Sequence, residues 1–232
     1  MEKTAIIIGA SSGIGRALAE LLSKNGYVLG LTGRRVTLLK DLAQKLPNKA
    51  IIKEMDVSDP LKAKQQFDDL LQQLGNTELV IISAGTGHLN PDLEPSFELE
   101  TINTNVSGFT VISGAAFNHF KKRKKGHLVG ISSILALRGS AGAPAYSASK
   151  AYMSNYLEGL RLKALKENIG ITVTEIRPGY VDTAMAQGDR LFWVASPKKA
   201  ALQIFNAILA KKSCAYVTKR WRLIAWWLYC RM

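Results

Sequence analysis

The sequence predicts an α/β fold: a doubly wound parallel sheet of about seven strands with helices on both faces. Two observations carry this reading. Short apolar runs rich in β-branched residues occupy 4–8, 27–32, 50–53, 79–82, 128–131 and 171–176, with a shorter one at 215–218. Helix-spaced patterns lie between them, at 15–24, 37–46, 61–74, 97–124, 148–167 and 197–211. Such alternation builds strand–helix–strand units, whose strands run parallel and whose helices cover the sheet. A third observation sets the domain count. The 232 residues are 47% hydrophobic, enough for one large core, and show no internal repeat or low-complexity segment. We therefore expect one domain over 1–218 and a basic, tryptophan-rich tail over 219–232.

Composition excludes several classes. Two cysteines, Cys214 and Cys230, make no disulfide framework and have no metal-ligand spacing. The three histidines, His88, His119 and His127, form no ligand-like pair, so no metal site is expected. The N-terminus runs straight into the first apolar run, without the pattern of a signal peptide, and no apolar stretch reaches the roughly 20 residues of a spanning helix. A cytoplasmic protein is the expectation. The net charge of +13 suits an anionic cofactor, an anionic lipid surface or nucleic acid. Part of it is the run Lys121 to Lys125, which reads as the basic last turn of a solvated helix with Gly126 as its C-cap.

The first strand runs into Gly9-Ala10-Ser11-Ser12-Gly13-Ile14-Gly15, which opens a helix. Glycines at such a turn let the backbone approach a pyrophosphate, and the helix N-terminus offers N–H donors and a positive dipole end. The spacing is G-x-x-x-G-x-G, where the common dinucleotide turn is G-x-G-x-x-G. At the end of the second strand, an acidic residue would bind the 2′-hydroxyl of NAD. Here Gly33 is followed by Arg34 and Arg35. Guanidinium groups suit a 2′-phosphate, so the pair favours NADP(H), with Arg34 the stronger candidate and Ser12 a helper.

Asp56 and Val57 follow the third strand, at the end that faces the ligand crevice. Asp56 reads either as an acceptor for the adenine amino group or as a cap on the turn into Ser58-Asp59-Pro60. Ser83-Ala84-Gly85 end the fourth strand, where small residues let a cofactor pass. Asn103 and Asn105 lie within a helical pattern, which is unfavourable unless the amide is used, and Gly108 suggests a packed helix or a local irregularity there.

Tyr146 and Lys150, four apart, share one face of a helix. A nearby ammonium favours the phenolate, and a phenol tuned that way exchanges protons near neutral pH. Ser132 and Ser133 stand just upstream, after an apolar run.

Together these motifs resemble the short-chain dehydrogenase/reductase family over nearly the whole chain. They are Gly9-x-x-x-Gly13-x-Gly15, Asp56, Ala84-Gly85, Asn105, Ser133, Tyr146-x-x-x-Lys150 and Pro178-Gly179. The 13 residues from Ser133 to Tyr146 fit the family pattern and select Ser133 over Ser132. The resemblance implies a single-domain, Rossmann-type, NADP(H)-preferring oxidoreductase that interconverts a carbonyl and an alcohol. It implies that Tyr146 is the acid/base, that Lys150 lowers its pKa and bonds the nicotinamide ribose, and that Ser133 holds the substrate oxygen. Asn105 would bind a water linking Lys150 to solvent. Pro178, Gly179 and Val181 would run beside the nicotinamide, with Thr183 near its carboxamide. One position departs from the family: Ser83 stands where an asparagine is common, keeping a hydroxyl but losing the reach of an amide.

The substrate pocket is expected from 135–138, 88–91 and 184–195, the last carrying Leu191-Phe192-Trp193-Val194 either as an apolar lid or as a loop packed on the core. An apolar carbonyl or alcohol compound is the expected substrate. The resemblance also implies a homodimer or homotetramer through the helices at 97–124 and 148–167. Three of the four tryptophans lie in the tail, among basic residues. Tryptophan and basic residues favour membrane interfaces. The tail then docks on a membrane, or it packs on its own domain or a second subunit, since Lys219, Arg220 and Arg222 spread too widely for a clean amphipathic helix. No specific nucleic-acid partner is expected. The alternative to an enzyme is a cofactor-binding protein acting mainly through this basic aromatic tail at an anionic surface.

Overall fold

Side chains of a strand alternate between faces, so a strand buried on both sides reads as continuous apolar sequence. In β1 (Lys3–Ile8), Ala5 and Ile7 join the core on one face while Ile6 and Ile8 join the core on the other. The computed structural model describes residues 3–185 and 192–230. Its sheet has seven parallel strands: β1, β2 (Tyr27–Gly33), β3 (Ala50–Glu54), β4 (Leu79–Ile82), β5 (Lys125–Ile131), β6 (Gly170–Pro178) and β7 (Cys214–Val217). Their order is β3-β2-β1-β4-β5-β6-β7. The order reverses between β1 and β4, where Ile8 pairs with Ile82, and the crevice beyond that point is where such sheets take ligands.

Helices α1 (Gly13–Lys24), α2 (Val36–Lys45) and α7 (Pro197–Leu209) cover one face. Leu18, Leu22, Leu39, Ile204 and Ile208 pack there on Ile7, Leu31, Ile81 and Val129. On the other face lie α3 (Pro60–Leu74), α4 (Pro95–Ile102), α5 (Phe109–Arg123) and α6 (Pro144–Lys166). Phe67, Phe109, Phe117, Phe120 and Leu157 fill the space above Ile6, Ile8, Val80 and Leu128. Local chemistry starts several of these helices. Asp59 caps α3 by accepting from the Lys62 N–H, and Ser196 caps α7 in the same way from Lys199. Proline occupies the first turn of α3, α6 and α7, where its missing N–H costs nothing. Pro144 begins α6 four residues before the expected start at 148.

Two expectations are corrected. Gly126 does not cap a helix. Lys124 takes the left-handed conformation at the end of α5 (φ 55°), and Gly126 lies in β5, where a Cβ would stand 2.0 Å from the Phe120 ring. The segment 97–124 is not one regular helix either. A π-helical turn, Asn103–Gly108, separates α4 from α5. Gly108 is the cause on the packing side, since a Cβ there would meet the Val57 carbonyl oxygen at 2.1 Å. The tail forms α8 (Trp221–Cys230). Among the described residues, no helix is long and apolar enough to cross a membrane.

Candidate functional site

Close backbone approach explains the glycine spacing. Gly9 has φ +86°, and a Cβ on it would lie 2.6 Å from the Ala84 main-chain nitrogen. A Cβ on Gly15 would lie 2.1 Å from the Gly9 carbonyl oxygen. Gly13 has φ +56°, and its Cβ would touch the Thr183 methyl at 3.0 Å. The turn is thus pressed between β4, its own first residue and the chain after β6. Ser12 occupies the N-cap position of α1 with an extended backbone, yet its hydroxyl does not cap the helix. Instead it accepts from the Arg35 guanidinium at 2.6 Å, and the Ser11 hydroxyl accepts from the same nitrogen at 3.0 Å. No acidic side chain stands in the first turn of α1. The N–H groups of that turn, from Gly13, Ile14 and Gly15, therefore keep their capacity for an anion, as a dinucleotide phosphate requires.

Of the two arginines, the geometry ties Arg35 to the turn, whereas the sequence ranked Arg34 first. Arg35 is the residue before α2, and its side chain swings back to Ser11 and Ser12; Arg34 lies exposed. Asp56 caps its own turn, accepting from the Ser58 N–H at 3.0 Å and the Ser58 hydroxyl at 2.8 Å. Val57 is buried against Gly108. At the end of β4, the Ser83 and Ala84 N–H groups both donate to the Ile8 carbonyl at 2.8 Å, so main-chain bonds brace the strand ends beside the serine that departs from the family.

The second half of the site gathers on α6 and the π-helical turn. Asn105 is fully buried. Its Oδ1 accepts from the Thr86 N–H at 2.9 Å, and its Nδ2 donates to the Thr86 carbonyl at 2.7 Å and to Ser149 Oγ at 3.0 Å. Both amide hydrogens are thereby used, and only oxygen capacity remains for a water. Gly85 separates Asn105 from Lys150: a Cβ there would lie 3.2 Å from Asn105 Oδ1 and 3.3 Å from Lys150 Nζ. The Lys150 ammonium donates to the Ile131 carbonyl at 3.1 Å and lies 3.5 Å from Met153 Sδ. It stands 5.5 Å from the centroid of the Tyr146 ring. Burial pushes the Lys150 pKa down to about 8.

Tyr146 behaves differently from the sequence expectation. Burial pushes its phenol above the usual tyrosine value, and a hydrogen bond from Ser133 acts in the opposite direction. The ammonium bonds a main-chain carbonyl, and desolvation wins at the phenol. The two serines have different partners. The Ser132 hydroxyl is buried and donates to Glu175 Oε1 at 2.7 Å, while Ser133 bonds Tyr146 and accepts from the Leu135 N–H at 3.1 Å, capping the 3₁₀ turn Ile134–Leu137.

Downstream, the Gly179 N–H donates to the Val217 carbonyl at 2.6 Å, and Thr183 Oγ1 donates to the Val181 carbonyl at 3.2 Å. Val181 bridges to Ala195, which pins both ends of the segment between them. Residues 186–191 of the expected lid lie outside the described residues; Phe192, Trp193 and Val194 are exposed. Of the other expected pocket residues, His88 is held 2.9 Å from Glu100 Oε2 and stacked on Phe97, and Arg138 is exposed beside a cavity of about 510 Å³ that Ser147 and Ala151 also line. Among the described residues, no cluster of side chains suits a metal ion.

Two site residues escaped the sequence reading. Gly87 faces Tyr146 so closely that a Cβ would lie 2.3 Å from its ring. Trp221, from the tail, fills the space beside Gly179 and packs on Tyr180, Ile134 and Leu135. The signal for Gly87 was present as a second glycine in Gly85-Thr86-Gly87; nothing local marks Trp221.

The model for the short chain dehydrogenase family matches residues 3–191. An uncharacterized oxidoreductase of Myxococcus xanthus is 36% identical over 188 residues, covering 79% of this chain and 74% of that one. An uncharacterized oxidoreductase of Mycobacterium tuberculosis is 33% identical over 234 residues, 96% of this chain and 88% of the relative. Among solved structures, a short-chain dehydrogenase from Sphingobium yanoikuyae in complex with NADPH has the same fold, with a TM-score of 0.84 at 22% identity over 96% of this chain and 92% of that one.

Proposed function

Because this chain belongs to the short chain dehydrogenase family, we propose that it is an NADP(H)-dependent oxidoreductase interconverting a carbonyl and an alcohol on a small apolar substrate. The observation that carries the reading is the convergence of Ser133, Tyr146 and Lys150 beside the crevice that the glycine turn and Arg35 close at its other end. The N–H groups of Gly13, Ile14 and Gly15 hold the pyrophosphate, and Arg35, with Ser12, holds the 2′-phosphate. Arg34 adds charge nearby. Asp56 and Val57 border the adenine, and Ala84 and Gly85 leave room for the ribose. Pro178, Gly179, Val181 and Thr183 flank the nicotinamide. When bound, the nicotinamide supplies or accepts the hydride.

Ser133 orients the substrate oxygen, and Tyr146 moves the proton. Burial keeps the proton on the phenol at neutral pH but makes it a weaker acid, so Ser133, whose hydrogen bond favours the phenolate, works against that burial as the proton moves to a carbonyl oxygen during reduction. Lys150 bonds the ribose and biases the phenol; Asn105 Oδ1 accepts from a water that links Lys150 to solvent. The chain acts in the cytoplasm as a homodimer or homotetramer. Exposed Leu99 and Ile102 on α4, Leu162 and Leu165 on α6, and a groove of about 380 Å³ between α4 and α6 support that association face. The test is NADPH consumption by the full chain over a panel of apolar ketones and aldehydes. Turnover of one of them supports the reading; failure to bind NADPH at all overturns it.

A further inference from the structure

We propose that Phe192, Trp193 and Val194, together with Leu223 and Trp226 on the outer face of α8, form one docking surface for an anionic lipid bilayer. The five side chains are 40–69% exposed. Large apolar side chains exposed together mark an interaction surface. Two elements build it, and Trp221 joins them. Trp221 is buried, with its ring centroid 5.1 Å from Phe192 and 5.9 Å from Trp193.

The surface also explains why the tail fails as a simple amphipathic helix. The apolar side of α8, Trp221 and Ala225, is spent on its own domain, against Ile134, Leu135 and Leu137. Arg222, Leu223 and Trp226 face outward, and Lys219 and Arg220 precede them, exposed. Polar and apolar groups are thus mixed on the outward face of α8. The Arg220 guanidinium lies 6.0 Å over the Trp193 ring.

Charge selects the occupant. Lys219, Arg220 and Arg222 are exposed at the start of α8, Arg220 lies over Trp193, and the sequence from 190 to 232 has no Asp or Glu. A self-complementary contact between two copies would set this patch against itself, like charge on like. Nucleic acid would satisfy the charge but leave Leu223 and Trp226 without an apolar partner. An anionic bilayer satisfies both, because tryptophan seats at the headgroup level and each basic residue near the surface adds attraction.

The surface adjoins the candidate site. Trp221 meets the loop of Phe192 and Trp193 on one side, and Gly179 and the turn capped by Ser133 on the other. On the oxidoreductase reading, the docked enzyme takes lipid-soluble carbonyl or alcohol compounds from the bilayer.

The experiment is co-sedimentation of the full chain with vesicles of phosphatidylcholine alone, and of phosphatidylcholine with phosphatidylglycerol, at low and high salt. NADPH binding is measured separately, so that failure of the surface and failure of the enzyme reading are distinguishable. The expected result is partition onto the anionic vesicles stronger by about tenfold or more, reduced by salt. Leu223→Ser with Trp226→Ser, and separately Arg222→Glu, should each cut it about tenfold with the melting temperature and NADPH affinity unchanged. Equal partition onto both vesicles, no partition, or variants that bind like the parent would overturn the proposal. So would duplex DNA binding or self-association that the double variant abolishes while vesicle binding is absent.

Discussion

The indole of Trp221 stands where a side chain on Gly179 would otherwise be: a Cβ at 179 would lie 1.9 Å from its ring. The last helix of the chain is therefore keyed into the segment after β6, next to the turn that Ser133 caps. Gly179→Ala cannot be absorbed without moving that ring. We expect a loss of about 1–3 kcal/mol, as overpacked cores show. Trp221→Ala should cost about 3–5 kcal/mol. Thermal and urea unfolding check both values, and an unchanged Gly179→Ala midpoint would separate the tail from the domain.

Lys150 carries a cost in folding. Its pKa falls from 10.5 to about 8 through burial alone. The unfolded chain thus binds this proton more tightly than the folded one, so below pH 8 the charged ammonium opposes folding by roughly 3 kcal/mol. That penalty is relieved as pH rises from about 8 toward 10.5. Lys150→Met should be more stable than the parent at pH 7, on the order of 1–3 kcal/mol, while losing turnover. A less stable variant would mean that the bond to Ile131 outweighs burial.

His127 sets an acid limit. Its Nε2 lies 2.8 Å from Thr174 Oγ1, which itself donates to the Lys212 carbonyl, so Nε2 carries the hydrogen. Burial, with Lys211 nearby, holds its pKa down to about 4. The unfolded histidine takes its proton near 6.5, so this group's contribution is complete above 6.5 and is lost as pH falls toward 4. The loss reaches roughly 3 kcal/mol. Urea unfolding at pH 7 and pH 4.5 should show a smaller drop in His127→Gln than in the parent.

Arg35 and Arg34 make a paired prediction. Arg35→Asp should weaken NADPH by about tenfold or more, from lost charge-assisted bonds, and leave NADH nearly unchanged. Arg34→Asp should have the smaller effect, since Arg34 does not reach the glycine turn. Fluorescence titration of both cofactors decides it, and equal effects would mean that both guanidinium groups share the phosphate.

The order of strands and helices was legible because the inner strands are buried on both faces and the helices that cover them on one. Residues such as Ile6 and Ile7 therefore carry the pattern themselves. The glycine turn and the Tyr146–Lys150 pair were legible because helix geometry fixes short spacings. What escaped depends on distant partners. Gly126 reads locally as a cap, yet Phe120 decides its place. Arg34 and Arg35 are equivalent in sequence, and only the turn into α2 separates them. The Tyr146 pKa follows from burial, which spacing does not encode, and Trp221 reaches Gly179 from over 40 residues away.

The most direct test of the account is turnover by Tyr146→Phe, measured with NADPH and any carbonyl compound the parent reduces. The ring that packs on Gly87 is kept, and only the phenol oxygen is lost. We predict NADPH affinity within about twofold of the parent and a rate lower by about 100- to 10,000-fold, the range for removing a positioned acid. A variant that binds NADPH and reduces the substrate at the parent's rate would contradict the role given to Tyr146.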